Sequence, residues 1–399
     1  MDLCVEQADL ARALRLVERA VPSRPGTPAL GGILITAAPG KLTLAATDLA
    51  LTLLAAVPAA VDQPGRALLP AQLLAGYVAD LPTAVVQLTS EPEHNRVRAR
   101  CGRVAAAFAA LDQAGFPTVP PPDLTLASAL DARALRHALA RVIPAAARDD
   151  SRPVLGAVLF SFGADGATLA AADGFRLAYA RLTVTAAPRT ALVPVRAATE
   201  AVRLCGEADS VQLVFQPDGQ GLWLVAGATG LHTRLVAGRF PDIAALLPAT
   251  WRTRVTVERL ALRAALHQAA LFGPASPGAR PVVLSATPGW LRLGAWGAER
   301  GEVQSALPAD LAGTPGMTAL DTRLLVDLLA GAESDRLTLT WDGPTGAVVI
   351  QEVAAAPTTT ARHAGALWLV MPLQEPALLR RQAAAEAAAT PETIAAPAA

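Results

Sequence analysis

Between Asp9 and Val21 arginine recurs at helical spacing. Arg12, Arg15 and Arg19 fall on one side of a helix, and Leu10, Leu14, Val17 and Val21 fall on the other. A guanidinium is permanently charged and presents a planar fork of N–H donors, so a row of them on a helix face suits anions, phosphate above all. The chain writes this pattern twice more. From Asp131 to Ile143, Leu135, Leu139 and Val142 point inward while Arg133, Arg136 and Arg141 point outward. From Val257 to Ala269, Leu262, Leu266 and Ala269 are inside and Arg263 and His267 outside. One such face alone is what ordinary solvation of a surface helix produces. Three copies at even spacing ask instead for a shared, extended anion.

Other chemistry is not legible. There is no GxSxG elbow, no phosphate-cradling GxxxxGK and no HExxH. Cys4, Cys101 and Cys205 are odd in number with no CxxC spacing, which argues against a disulfide framework or a zinc site. The histidines (His94, His137, His232, His267, His363) are scattered. Asp149-Asp150 and Asp173-Gly174 are the carboxylates that attract notice, and they read as a solvated loop and a turn. No catalytic residue, metal or cofactor is expected. With 52% hydrophobic and 17% charged residues the chain reads as globular, and its formal net charge is zero. A nucleic-acid contact must therefore come from local segregation of charge. No signal peptide and no apolar run of membrane length is visible, so a cytoplasmic location is expected.

The arginine-bearing helices belong to a larger repeat. Each is followed by a turn and a strand: Ser23-Arg24-Pro25-Gly26-Thr27-Pro28 into Ile33, Ser151-Arg152-Pro153 into Phe160, and Gly278-Ala279-Arg280-Pro281 into Leu284. Pro28, Pro153 and Pro281 stand about 125 and 128 residues apart. Hairpin-like strands come next, at Lys41–Asp48, Ala167–Asp173 and Trp290–Gly294, each after a Gly-containing turn. A second helix follows in each unit, opening at Pro70, Pro194 and Asp321, and then strand alternation at Val85, Val211 and Arg336. The first two units close on Gly115-Phe116-Pro117 and Arg239-Phe240-Pro241. Each unit is thus itself doubled, helix and strands twice over, which suits an α+β domain whose helices cover one face of antiparallel sheet. Boundaries are expected near Pro120-Pro121-Pro122 and Pro248, giving domains at 1–122, 123–250 and 251–373. Residues 374–399, rich in Ala, Glu and Pro, are expected to be a disordered tail, with helix possible over Leu378–Ala388.

Three such units would form an arc, and two chains head to tail would close a ring with the helices lining its central face. Duplex DNA carries about one phosphate per 1.7 Å of axis. Arginines on an inner wall would match that charge without reading sequence.

The chain resembles the bacterial replicative sliding clamp, the beta subunit of DNA polymerase III, in register from residue 1 to about 373. The resemblance rests on the threefold repeat together with Ala46-Thr47-Asp48-Leu49, Ala172-Asp173-Gly174-Phe175-Arg176-Leu177, Gly238-Arg239-Phe240-Pro241-Asp242 and Leu369-Val370-Met371-Pro372-Leu373. It implies three tandem clamp domains, a homodimeric ring on double-stranded DNA, and partners that include DNA polymerase III, clamp-loader subunits and other proteins with clamp-binding peptides. It adds Arg24, Arg148 and Arg196 to Arg12, Arg15, Arg19, Arg133 and Arg136 as DNA contacts. It implies a partner-peptide cleft from Arg152, Leu155, Gly174, Phe175, Arg176, Leu177, Pro241, Leu246, Leu369, Val370, Met371, Pro372 and Leu373, although Leu155, Leu177 and Val370, taken singly, read sooner as ordinary core packing. It implies a dimer interface from Arg100, Arg103, Phe108, Leu271, Phe272, Glu299 and Glu302. Phe175, Ala172 and Ala245 depart from the family's usual residues, and Arg300 interrupts a thinned acidic side of the interface. An alternative reading follows: a paralogue that keeps the fold but works as a protein-interaction scaffold with a weakened dimer interface.

Overall fold

A computed structural model describes residues 1–117, 121–149, 151–184, 186–273, 278–353 and 366–388. The repeated helices stand where the pattern puts them: α1 (Gln7–Val17), α2 (Ala71–Ala79), α3 (Ala132–Val142) and α4 (Val195–Cys205), then, after a single turn α5 (Ile243–Leu246), α6 (Arg259–Phe272) and α7 (Thr322–Leu329). Their starts are written in the sequence. Asp131 accepts from the N–H of Ala134 at 2.6 Å, Glu258 from Leu260 at 2.9 Å and Asp321 from Arg323 at 3.0 Å. Each carboxylate satisfies an N–H that has no partner inside the helix and sits at the positive end of its dipole. Pro70 and Pro194 precede α2 and α4, where a missing N–H costs nothing. Within α1, Leu10, Leu14 and Val17 are fully buried, while Arg12 and Arg15 are exposed. The helix stops at Val17 and tightens into a 3-10 turn, Glu18–Ala20, which carries Arg19 outward.

Strand pairing is antiparallel in the ladders of the described residues. A five-stranded sheet runs Ala60–Gln63, Asp2–Glu6, Val85–Glu91, Arg96–Cys101, Val104–Ala109. An eight-stranded sheet joins Ser128–Asp131, Ser210–Phe215, Gly221–Ala226 and Thr229–Arg234 to Leu51–Pro58, Lys41–Thr47, Gly32–Ala38 and Gly65–Pro70. A twelve-stranded sheet joins Arg189–Pro194, Ala157–Gly163, Gly166–Ala172 and Arg176–Leu182, through Ala366–Val370, to Val348–Glu352, Arg336–Trp341, Thr253–Glu258, Gly301–Gly313, Trp290–Gly297, Pro281–Thr287 and Gly316–Asp321.

The chain accordingly divides into two compact units, Met1–Arg136 with Arg196–Leu235, and His137–Val195 with Val236–Ala399. These edges differ from the repeat boundaries near 122 and 250 for a physical reason. The seam strands Thr229–Arg234 and Ala366–Val370 each continue the ladder of the preceding repeat, against Leu51–Pro58 and Arg176–Leu182. Backbone hydrogen bonding crosses the sequence boundary instead of stopping there.

Within the stretch expected to be a tail, Pro376–Ala388 form helix α8, which takes in the Leu378–Ala388 segment where the sequence allowed a helix. Leu378 and Leu379, with Leu373, pack against Val283, Trp296 and Ala319 of the outer strands, which supplies the apolar burial that composition alone did not promise. Gln382 is fully buried, Arg381 lies over the Trp296 ring at 5.4 Å, and Arg292 pairs with Glu386 at 3.9 Å. The tail from 389, and Asp150, lie outside the described residues.

Candidate DNA face and partner cleft

In the first unit, Arg12, Arg15, Arg19 and Arg136 come together with Arg203 around one cavity of about 1070 Å³. The arginines of α1 and of α3 thus share a wall, as their common spacing asks. Arg203 was missed by the sequence reading. Its signal was present, since Arg196 and Arg203 stand two turns apart on α4. The positive charge is partly countered from within. Glu200, almost fully buried on α4, pairs with Arg19 at 3.4 Å and with Arg203. Arg12 pairs with Asp9 one turn back, and Arg196 pairs with Asp48 while donating to the Arg19 carbonyl at 3.0 Å. Arg24 and Arg133 are exposed and do not line this cavity. Cys205 sits beside Arg136, and burial pushes its thiol up to about 11, so it stays protonated and unreactive at neutral pH.

In the second unit, Arg148, Asp327, Arg263 and His267 line a cavity of about 620 Å³ between the end of α3, α6 and α7. This places the predicted Arg148 with the outward residues of the third repeat helix. Arg148 reaches Asp327 at 3.4 Å, a partner that sequence reasoning did not identify.

Several of the residues expected at the cleft gather around one turn. Asp173 accepts from the N–H groups of Phe175 (2.9 Å) and Arg176 (3.0 Å), and its own N–H donates to the Arg176 carbonyl at 3.2 Å. That closed loop forces Gly174 to φ +95°, where a side chain is strained, and an added Cβ would meet the Arg152 guanidinium at 3.2 Å. Phe175 is left 66% exposed. The Met371 N–H donates to the Phe175 carbonyl at 2.8 Å, bringing the half-exposed Met371 beside it. Below lies one apolar cluster holding Leu155, Leu177, Leu369 and Phe240, with Val154, Ile243 and Leu247 at its edge. Pro241 and Leu246 are exposed next to it.

Three residues expected at the cleft, Val370, Leu373 and Arg176, turn away from this cluster. Val370 pairs directly with Arg176 and, by strand alternation, faces away from Leu369 and Leu177. Leu373 turns off to the outer cluster with Leu378, because its N–H is taken by the Ala319 carbonyl at 2.7 Å. Arg176 is 5% exposed and bonds through the sheet's other side, to Asp173 at 2.9 Å and Asp327 at 3.3 Å. Pro372 is buried and Arg152 exposed, donating to the Asp173 carbonyl at 3.0 Å.

Of the residues expected at the interface, Phe108 is covered within its own chain. It is 2% exposed and packs edge-on against Tyr77 with ring centres 5.3 Å apart, so it belongs to the core of its own unit. Leu271 is 67% exposed at the end of α6, and Phe272 is half-buried. Arg100, Arg103, Glu299 and Glu302 are exposed, but Glu302 already has a partner, Arg381 of α8, at 3.4 Å.

No group of His, Cys, Asp and Glu suited to a metal ion occurs among the described residues, and no described helix is long and apolar enough to cross a membrane. Comparison with known proteins follows the same architecture. The N-terminal domain of the DNA polymerase III beta subunit matches residues 1–120 and its central domain matches residues 129–242. The beta sliding clamp of Synechococcus elongatus is 29% identical over 382 residues, covering 94% of this chain and 99% of its own. The beta sliding clamp homolog GriR of Streptomyces muensis is 27% identical over 377 residues, covering 93% and 98%. The fold matches the crystal structure of the sliding clamp from Bacillus subtilis with a TM-score of 0.87 at 21% identity, covering 94% of this chain and 99% of that one. The clamp from Pseudomonas aeruginosa gives 0.84 at 23%, covering 94% and 99%. A doubled helix-and-sheet repeat, two domain matches that together span more than half the residues, and near full-length relatives leave one conclusion: the chain belongs to the beta sliding clamp (DNA polymerase III beta subunit) family, the non-catalytic processivity factors of DNA replication.

Proposed function

We propose that this chain encircles duplex DNA as a head-to-tail ring homodimer and tethers the replicative polymerase, clamp-loader subunits and other DNA-processing proteins through the cleft at Phe175. The observation that carries the reading is the clustering of Arg12, Arg15, Arg19, Arg136 and Arg203 around one cavity in a chain of zero net charge. Such local charge holds phosphate without base readout. Partial neutralisation by Glu200 and Asp9 keeps the grip weak, as a ring that slides requires. The cleft offers an apolar floor, an exposed aromatic and oriented backbone groups, the recipe for an extended peptide with Leu and Phe anchors. Retention tests the ring: the loaded protein should persist on closed circular DNA and run off the same DNA once linearised. Equal lifetimes on both would end the proposal.

A second reading is favoured by one contact. Arg381 occupies Glu302, on the side of the dimer face already short of acid, so a scaffold that is largely monomeric is the alternative. Sedimentation at micromolar concentration separates the two.

A further inference from the structure

We propose that Asp327 links Arg148, in the loop after α3, to the turn that shapes the cleft, so that an anion held by Arg148 tightens the peptide site. The inference rests on the cleft and DNA-face readings above. It starts from one oxygen atom. Asp327 Oδ2, on α7, accepts from Arg148 Nη2 at 3.4 Å and from Arg176 Nη1 at 3.3 Å. Both contacts are long for charge-assisted bonds, as expected when one carboxylate oxygen is divided between two cations. The two arginines are unlike. The Arg148 side chain is 81% exposed in the cavity with Arg263 and His267, whereas the Arg176 side chain is 4% exposed. The first is free to exchange partners and the second is not.

From Arg176 the contacts continue without a gap. Its Nε donates to Asp173 Oδ2 at 2.9 Å, and the other oxygen of Asp173 holds the Phe175 and Arg176 N–H groups. The Phe175 carbonyl in turn takes the Met371 N–H. Asp327 is therefore a positioning residue: it touches no peptide, yet it sets how firmly Arg176 is held and hence how firmly Arg176 holds Asp173. When a phosphate draws Arg148 away, Asp327 Oδ2 closes on Arg176 alone, and the Asp173 turn that presents Phe175 stiffens. A stiffer site loses less freedom on binding. By linkage, the peptide must raise the affinity for the anion by the same factor.

The test uses the full chain, a labelled peptide of pattern Gln-Leu-x-Leu-Phe and a short DNA duplex. Peptide affinity measured by fluorescence polarisation should rise roughly fivefold with saturating duplex, the low end of ordinary couplings. Arg148→Ala should abolish that rise and by itself raise duplex-free affinity toward the duplex-bound value, since Asp327 is then left to Arg176 alone. Asp327→Asn should abolish the rise and also weaken duplex-free binding. Amide exchange at Phe175 and Met371, read by NMR without peptide, should slow when duplex is added to the native chain and not to Arg148→Ala. An unchanged peptide affinity and unchanged exchange at saturating duplex would overturn the coupling. Should the peptide not bind at all while exchange still slows, the cleft reading fails and the coupling stands.

Discussion

Met371 donates its backbone N–H to the carbonyl of Phe175 at 2.8 Å, and the same bond recurs one repeat earlier, where Arg234 donates to Ala50 at 2.9 Å. The surrounding turns also match. Asp48 accepts from the N–H groups of Ala50 (3.0 Å) and Leu51 (2.7 Å) as Asp173 does from Phe175 and Arg176. The floors differ. Where the later seam has Ala172, Leu177 and Leu369, the earlier one has Thr47, Thr52 and His232 at the equivalent ladder positions, with Thr52 donating to Thr47 at 2.8 Å. Where the later turn has Gly174, the earlier has Leu49, held at φ +79° and 55% exposed. One backbone design therefore yields an apolar groove at one seam and a polar, hydrogen-bonded floor at the other. This is the physical reason to place peptide binding at Phe175.

Replacing Gly174 by Leu should convert the later turn toward the earlier one. The left-handed backbone costs a side chain about 1 kcal/mol, which the turn tolerates at Leu49, but the new Cβ would press on Arg152 at 3.2 Å. Peptide affinity should fall at least about tenfold, equivalent to about 1.4 kcal/mol, with the fold retained. Polarisation titration beside a circular-dichroism melt checks both halves, and an undiminished affinity would remove Gly174 and Arg152 from the cleft.

The arginine cavity predicts a salt signature. Replacing Arg15 and Arg203 by Ala together should lower the slope of log affinity against log salt by about 0.9 for each phosphate no longer neutralised, without altering any preference among DNA sequences. Titrations of a short duplex at several salt concentrations measure it. An unchanged slope would mean that these side chains face no phosphate.

How much of this was readable follows from which forces are local. The helices, their acidic or proline starts and the outward arginines are set by spacing along the chain, and α1, α3 and α6 appear where Asp9, Asp131 and Val257 signalled them. The Asp173-Gly174 turn was readable as a turn because its bonds span three residues. What sequence did not carry was partnership at distance. Nothing in Asp327 marks it as the acceptor for Arg176, 151 positions away, and nothing in Phe108 shows that Tyr77 covers it. The sequence offered a helix over Leu378–Ala388 without a place for it for the same cause: a low-complexity tail orders only when Val283 and Trp296 offer it an apolar floor.

His232 gives a prediction in pH. Its ring packs on Trp223 with centres 5.0 Å apart, and its Nε2 has no hydrogen-bond partner among the described residues. Desolvation by burial holds its pKa below the ordinary 6.5, with Asp218 opposing weakly. The unfolded chain therefore takes up a proton that the folded chain refuses, so stability is full above pH 6.5 and falls as pH drops below it toward the folded value. Denaturation midpoints of the first unit at pH 7.5 and 5.5 should differ more for the native chain than for His232→Leu. Parallel pH dependence in the two would show that another group carries the acid sensitivity.

Ending the chain at Leu373 should show which part of the fold α8 supports. The helix contacts the outer strands Pro281–Thr287 and Gly316–Asp321, with Leu378 and Leu379 over Val283, Trp296 and Ala319. The cleft floor of Leu155, Leu177 and Leu369 belongs to a different cluster. Removing α8 uncovers Trp296 and Ala319 and deletes the burial of two leucines, a loss of about 3 kcal/mol felt in those strands. Amide exchange in Pro281–Thr287 and Gly316–Asp321 should accelerate, while affinity for the Gln-Leu-x-Leu-Phe peptide stays within a factor of about two. Freed of Arg381, Glu302 becomes available to a basic partner, so the truncated chain should also dimerise more tightly by sedimentation. The opposite pattern, steady exchange with a large change in peptide affinity, would mean that α8 acts on the cleft and not on those strands.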